Sequence, residues 1–311
     1  MRPRLLVGLL LAGLATGPVM AEAPRVVTDT PAVHSMVAQV MGEVGVPVLL
    51  LDRGADPHNF QLRPTQSRAL AEAELLFWVG PELTPWLARA LAGVGFRGSE
   101  VTLLEVDGVR LREFTDERHD HGHRHNHAHD HGHHHTHEGL DPHAWLDPGN
   151  ARVWLQTIAG ALADVDPAHA SIYVANATAA GAELERLERE LETRLRPLAG
   201  VPLMVFHDAY GYFAERFGVS IVGTITLGDA AAPGAARLRR LRDQLREGGV
   251  VCVFPEVNHS SRYVDMLVEG SATRVGAMLD PAGVAMQPGA SLYRELMLSI
   301  ADAMVDCATH S

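Results

Sequence analysis

PAHASIYVANATAAGAELERLERELETRL, residues 167–195, is the stretch that decides the fold. Leu184, Leu187, Leu191 and Leu195 recur at helical spacing and mark one apolar stripe, while Glu and Arg fill the other faces in i, i+3 and i, i+4 pairs. Ordinary packing accounts for such a stripe on any helix. Its length and its place in the middle of the chain make this one a stiff connector between two halves.

Outward from the connector, both halves alternate short apolar runs with helical patterns. On the N-terminal side the runs are PRVVTD (24–29), VPVLLLD (46–52), LLFWVG (75–80) and VTLLEV (101–106). A helix is predicted from Pro31, with Val33, Met36, Val37, Val40 and Met41 on one face and Thr30 and Pro31 as its cap and first residue. Further helices are predicted over about 65–73 and 82–92. On the C-terminal side the runs are PLMVF (202–206), SIVGTIT (220–226), VVCVF (250–254) and TRVGAML (273–279). Helices near 209–217, 235–247, 260–269 and 291–306 lie between and after them. Continuous apolar strands alternating with helices indicate parallel sheets covered on both faces. The predicted fold is therefore α/β, with two lobes that each carry a four-stranded parallel-type sheet. The N-terminal lobe spans 22–166, one long helix over 167–196 joins the two, and the C-terminal lobe spans 197–311, with a ligand site in the cleft between them.

The chain has 311 residues, is 47% hydrophobic and carries a formal net charge of −12, long enough for two domains and too acidic to advertise nucleic-acid binding. Arg2 and Arg4 precede a short apolar run that ends in small residues, as in a secretory signal peptide cut after Ala21. The run is too short to span a bilayer comfortably. No cysteine stands near the cut, so the expected product is a soluble periplasmic protein without a lipid anchor. In that oxidising compartment the two cysteines, Cys252 and Cys307, are expected to form a disulfide, with a pair of buried thiols as the alternative.

Between the fourth strand and the motif at Asp141 lies HDHGHRHNHAHDHGHHHTH (119–137), where eleven of nineteen residues are histidine: His119, His121, His123, His125, His127, His129, His131, His133, His134, His135 and His137. The tract offers nothing to bury and reads as a surface insertion over about 116–138. It is an accessory metal-binding loop, because such a tract binds metal in whatever protein carries it. The discriminating histidines lie elsewhere. His58 in GADPHNF, His143 in DPHAWLDP and His207 in FHDAYGYF each follow the carboxyl end of a predicted strand, where open α/β sheets bind their ligands. Asp280, in GAMLDPAG, holds the same position after the last strand. Three imidazoles and a carboxylate make a tetrahedral set for Zn²⁺. His34, His169 and His259 read as hydrogen-bonded loop residues. Asp141, Asp147 and Asp208 suit imidazole orientation, with turn or cap roles as the alternative.

Taken together, GADPHNF, DPHAWLDP and FHDAYGYF resemble the metal-site motifs of the ZnuA-type family, periplasmic receptors of ABC-type zinc importers. The likeness covers essentially the whole mature chain. It implies metal held between the lobes by His58, His143, His207 and Asp280, with delivery to an inner-membrane permease by a monomer. Some zinc receptors have a glutamate before the first histidine where this chain has Pro57, which leaves the fourth ligand open between Asp280 and a water molecule, with Asp280 preferred. Manganese receptors that resemble this chain carry a carboxylate where His207 stands. Three nitrogen donors favour Zn²⁺, Cu²⁺ or Ni²⁺ over Mn²⁺, and the resemblance selects zinc. The expected function is thus a non-enzymatic zinc receptor. The alternatives are a zinc hydrolase, against which the motifs offer neither HExxH nor an obvious general base, and a metal buffer or adhesin acting through the tract alone.

Overall fold

A computed structural model describes residues 22–114, 139–226 and 233–309. The signal peptide expected over 1–21 and the histidine tract at 119–137 lie outside them.

In the first lobe, β1 (Val26–Thr28), β2 (Val48–Leu49), β3 (Leu75–Trp78) and β4 (Ser99–Thr102) form a parallel sheet of order β2-β1-β3-β4. The helices α1 (Pro31–Met41), α2 (Pro64–Glu72) and α3 (Pro85–Val94) supply the crossovers. All three begin on proline, whose fixed φ suits the first helical position and whose missing N–H costs nothing there. The second lobe repeats the pattern with β5 (Pro202–Val205), β6 (Ser220–Thr224), β7 (Cys252–Val253) and β8 (Arg274–Val275), in the order β6-β5-β7-β8 and again parallel. Because parallel strands need crossovers on both faces, β1, β3 and most of β5 and β7 are fully buried, which is why their sequences are apolar without alternation.

The connecting helix is α5 (Ala170–Leu195), 26 residues and about 39 Å long at 1.5 Å per residue. Leu184, Leu187, Leu191 and Leu195 are all buried, as their stripe requires. What they pack against includes an element absent from the sequence analysis. Residues 148–165 form α4 (Pro148–Val165), with Trp154, Leu155, Ile158, Ala159 and Leu162 buried along α5.

A second unforeseen tie comes from α9 (Leu292–Thr309). It belongs in sequence to the second lobe, yet it packs against α1 and α5. Ser35 Oγ, on α1, donates to Ala290 O at 3.0 Å and accepts from the Tyr293 backbone N–H at 3.0 Å. Arg194 reaches Asp302 at 2.5 Å and Arg294 reaches Glu190 at 2.7 Å. One apolar core accordingly runs through both lobes, and a smaller one, around Met204, Phe206, Ile225 and Leu241, lies beneath α7 (Ala235–Arg246) and α8 (Arg262–Val268).

Cys252 of β7 is bonded to Cys307 of α9, as expected from the compartment. The bridge spans 55 residues, for which the chain-entropy account gives about 4 kcal/mol. Replacing both cysteines by serine should lower the melting temperature by roughly 10 °C. A melting temperature equal to that of the oxidised protein would show that packing alone holds α9 in place.

Candidate metal centre

The three strand-end histidines meet in the cleft. His143 Nε2 and His207 Nε2 are 3.4 Å apart, and one ligand atom from each of His58, His143 and His207 lies within 4.8 Å of the others. Ring centroids are separated by 5.3, 5.5 and 6.2 Å, so the rings enclose a near-equilateral space. Two tetrahedral ligands bonded at about 2.0–2.1 Å stand about 3.4 Å apart, which is the separation of the two Nε2 atoms. Two facing nitrogens at this distance make a poor hydrogen bond; as two lone pairs converging on one point they could hold a metal ion.

The repeated Asp-Pro-His tripeptide explains two of the three positions. In each copy the aspartate accepts the backbone N–H of the histidine two residues on: Asp56 Oδ1 from His58 at 2.9 Å, Asp141 Oδ1 from His143 at 3.0 Å. Proline between them has no N–H and a fixed φ, so the turn closes in one way only. The first turn is pinned by Trp86, whose Nε1 donates to Pro57 O at 2.7 Å. The second is pinned by Trp145, whose Nε1 donates to Pro281 O of the other lobe at 2.8 Å. His207 stands two residues beyond β5.

Each buried ring is fixed by a carboxylate on its far nitrogen. Asp141 Oδ1 lies 2.8 Å from His143 Nδ1, and Glu256 Oε2 lies 2.7 Å from His207 Nδ1. A carboxylate accepts, so each ring carries its proton on Nδ1 and turns the Nε2 lone pair into the cleft. Of the aspartates proposed from sequence, Asp141 does orient a histidine. Asp147 instead caps α4 by accepting from Gly149 N at 2.8 Å. Asp208 is half-buried, and loss of solvent raises its pKa first of all, against the nearby Arg112. Glu256 was missed, although it stands three residues past β7, in the strand-end position already used to pick the histidines.

Arg112 braces this arrangement from behind. Its Nη1 bonds Asp141 Oδ2 at 2.8 Å and its Nε bonds Glu215 Oε1, in the other lobe, at 2.8 Å. The Tyr212 hydroxyl accepts from Arg112 N at 2.9 Å and donates to Asp141 O at 3.0 Å. A Cβ at Gly211 would run into the guanidinium, so the close approach requires glycine.

The cavity enclosed is about 30 Å³, room for an ion and a water or two but not for an organic solute. His58, His143, His207, Glu256, His259 and Asp280 are among the side chains lining it. Asp280 is held by two backbone N–H groups, Val284 on Oδ1 at 2.9 Å and Ala285 on Oδ2 at 2.8 Å. Burial pushes its pKa up, these N–H groups oppose that, and Glu256 adds to it. Carboxylates gathered at a small buried cavity call for a cation among them.

Two parallel α/β lobes closing on an ion-sized cavity ringed by imidazoles define a metal-receptor solute-binding protein. The family described as zinc-uptake complex component A, periplasmic (ZnuA), matches residues 26–307, and the chain belongs to it. Its relatives include the high-affinity zinc uptake system protein ZnuA of Paracoccus denitrificans, 48% identical over 98% of both chains. That of Brucella abortus is 37% identical over 96% of this chain and 95% of its own. Among solved structures, ZnuA superposes with a TM-score of 0.72 at 26% identity, over 90% of this chain and 99% of the other. A Mn²⁺ complex of FpvC from Pseudomonas aeruginosa shares the fold, with a TM-score of 0.76 at 22% identity over 93% of this chain and 99% of the other.

If the carboxylates set the tautomers, Asp141→Asn should weaken Zn²⁺ binding about 10- to 100-fold without unfolding the protein. Arg112→Met should act in the same direction but less. Calorimetric titration checks both, and wild-type affinity in Asp141→Asn would mean that His143 is oriented by packing alone.

Proposed function

We propose that the protein is a high-affinity zinc receptor. It captures Zn²⁺ between the lobes with His58, His143 and His207 and delivers it to an ABC-type importer in the inner membrane. The observation that carries this is the pair of carboxylate-fixed imidazoles whose Nε2 lone pairs converge at 3.4 Å, a geometry that only a bound cation satisfies well. Asp280 is the fourth ligand in this proposal, since it lines the same cavity and its charge balances the ion. The ion-binding cleft lies between a lobe of residues 22–166 and one of residues 197–311, with 167–196 as connector. Removal of residues 1–21 releases the chain, as a monomer, into the periplasm.

Three nitrogen donors and at most one oxygen place Mn²⁺ low in the affinity order. The donors alone rank Cu²⁺ and Ni²⁺ beside Zn²⁺; the names of the relatives single out zinc. Nothing supports the hydrolase alternative: Asp141 and Glu256 are engaged with the imidazoles, and the cavity has no room for a substrate. The buffer or adhesin alternative leaves the cleft without a purpose.

The deciding experiment removes residues 119–137 and titrates the remaining chain with Zn²⁺ and Mn²⁺. One tight zinc equivalent should persist, Mn²⁺ should bind far more weakly, and His207→Ala should cost at least about 100-fold in zinc affinity. Loss of all tight zinc binding with the tract would overturn the proposal.

Protons compete with the ion for every imidazole lone pair. Zinc affinity should therefore fall as pH drops through about 6.5, the ordinary histidine range, and level off above it. An affinity flat between about pH 8 and 5.5 would contradict an imidazole site.

A further inference from the structure

His259 was read from sequence as a loop residue of no special role. It lies beyond β7, where the chain turns at Asn258, the one non-glycine residue of positive φ (71°) among the described residues. That turn is tied to the other lobe by Asn258 Nδ2, which donates to Ala55 O at 3.3 Å. It lays the His259 ring flat on Phe206, with centroids 4.4 Å apart and planes 18° from parallel. His259 Nε2 is then 3.7 Å from Glu256 Oε1, which is itself 2.6 Å from His207 Nδ1. One ligand atom from each of His207, Glu256 and His259 lies within 4.8 Å of the other two. The side chains of His207 and Glu256 are 5% and 4% exposed, and that of His259 is 25% exposed, so this second group runs from the buried His207 toward solvent.

We infer that His207, Glu256 and His259 form an outer zinc position, through which the ion passes on its way to and from His58, His143 and His207. The inference rests on the proposed role of the inner trio only for the direction of travel. Two histidines and a glutamate are an established donor set for zinc, and a water completes the tetrahedron. The two positions share His207 through opposite ring nitrogens, Nε2 for the inner and Nδ1 for the outer. A neutral imidazole has one lone pair, so the positions fill one at a time and the cleft holds a single ion.

The proton balance is closed. With zinc on the outer position, His207 keeps its proton on Nε2. Moving inward, the ion leaves Nδ1 for Nε2 while the ring gives its Nε2 proton to a solvent water and takes one from water on Nδ1, where Glu256 accepts its hydrogen bond. The ring stays neutral, and Glu256 exchanges the ion for an N–H. The carboxylate that fixes the tautomer of the loaded state is thus also a ligand of the preceding one.

The test isolates the outer position. Phe114 N donates to Gly139 O at 3.0 Å, so the described residues on either side are joined independently of the tract and residues 119–137 can be excised. In that chain, His58→Ala with His143→Ala removes two inner ligands; the variant should still bind one Zn²⁺, more weakly, and should lose it when His259→Ala is added. No zinc binding by the double variant, or binding indifferent to His259→Ala, overturns the inference. In the full chain, His259→Ala alone should slow zinc uptake and zinc release to a chelator by about tenfold, with the dissociation constant unchanged within about twofold. Unchanged rates also overturn it. Failure of the inner trio would look different, as loss of tight binding in a tract-deleted His259→Ala chain that retains His58, His143 and His207.

Discussion

Two imidazole nitrogens 3.4 Å apart, lone pair to lone pair, form an arrangement that a protein does not reach by packing alone. It repels unless a cation fills it, and either ring could relieve it by moving its proton or turning over. While no ion occupies Nδ1 of His207, the rest of the centre opposes that relief. Asp141 and Glu256 hold the protons on the outward nitrogens, Arg112 holds Asp141, and Glu215 and Tyr212 hold Arg112. These contacts leave the rings few other positions, and a site so fixed would lose little ordering entropy on binding an ion.

The same economy governs the lobes. A single rod between two domains would let them rock, whereas here α4 packs along the rod and α9 returns from the second lobe to lie on α1 and α5. Hydrogen bonds cross the cleft as well: Gly54 N donates to Val284 O at 2.8 Å, and the Arg53 side chain donates from Nη2 to Ala285 O at 2.8 Å. Val284 and Ala285 are the residues whose amides hold Asp280. The loop bearing one candidate ligand is therefore indexed by the lobe that bears two others.

Much of this was legible in the sequence. Strand runs without alternation pointed to buried parallel sheets, and a parallel sheet binds its ligands at the strand ends, which pointed to His58, His143, His207 and Asp280, four side chains that line one cavity. Residues 148–165 escaped because their helix begins inside a motif already claimed for metal, and its pattern merges with that of α5. Glu256 and His259 escaped for a different reason. Each looks ordinary in VFPEVNHSS, and what distinguishes them is contact with His207 and Phe206, 49 and 53 positions away in the chain. Such pairings belong to the tertiary structure, and no local pattern encodes them. The role of Arg112 is hidden likewise, since it depends on the missing side chain at Gly211.

The hydrogen bond between Phe114 and Gly139, with the bridge pairing Glu113 and Leu140, closes the neck of the histidine-rich insertion. Once a neck is closed, the cost of the loop beyond it grows only with the logarithm of its length, about 0.6 kcal/mol for each doubling. Residues can then be added to or removed from that segment at little thermodynamic cost to the two lobes.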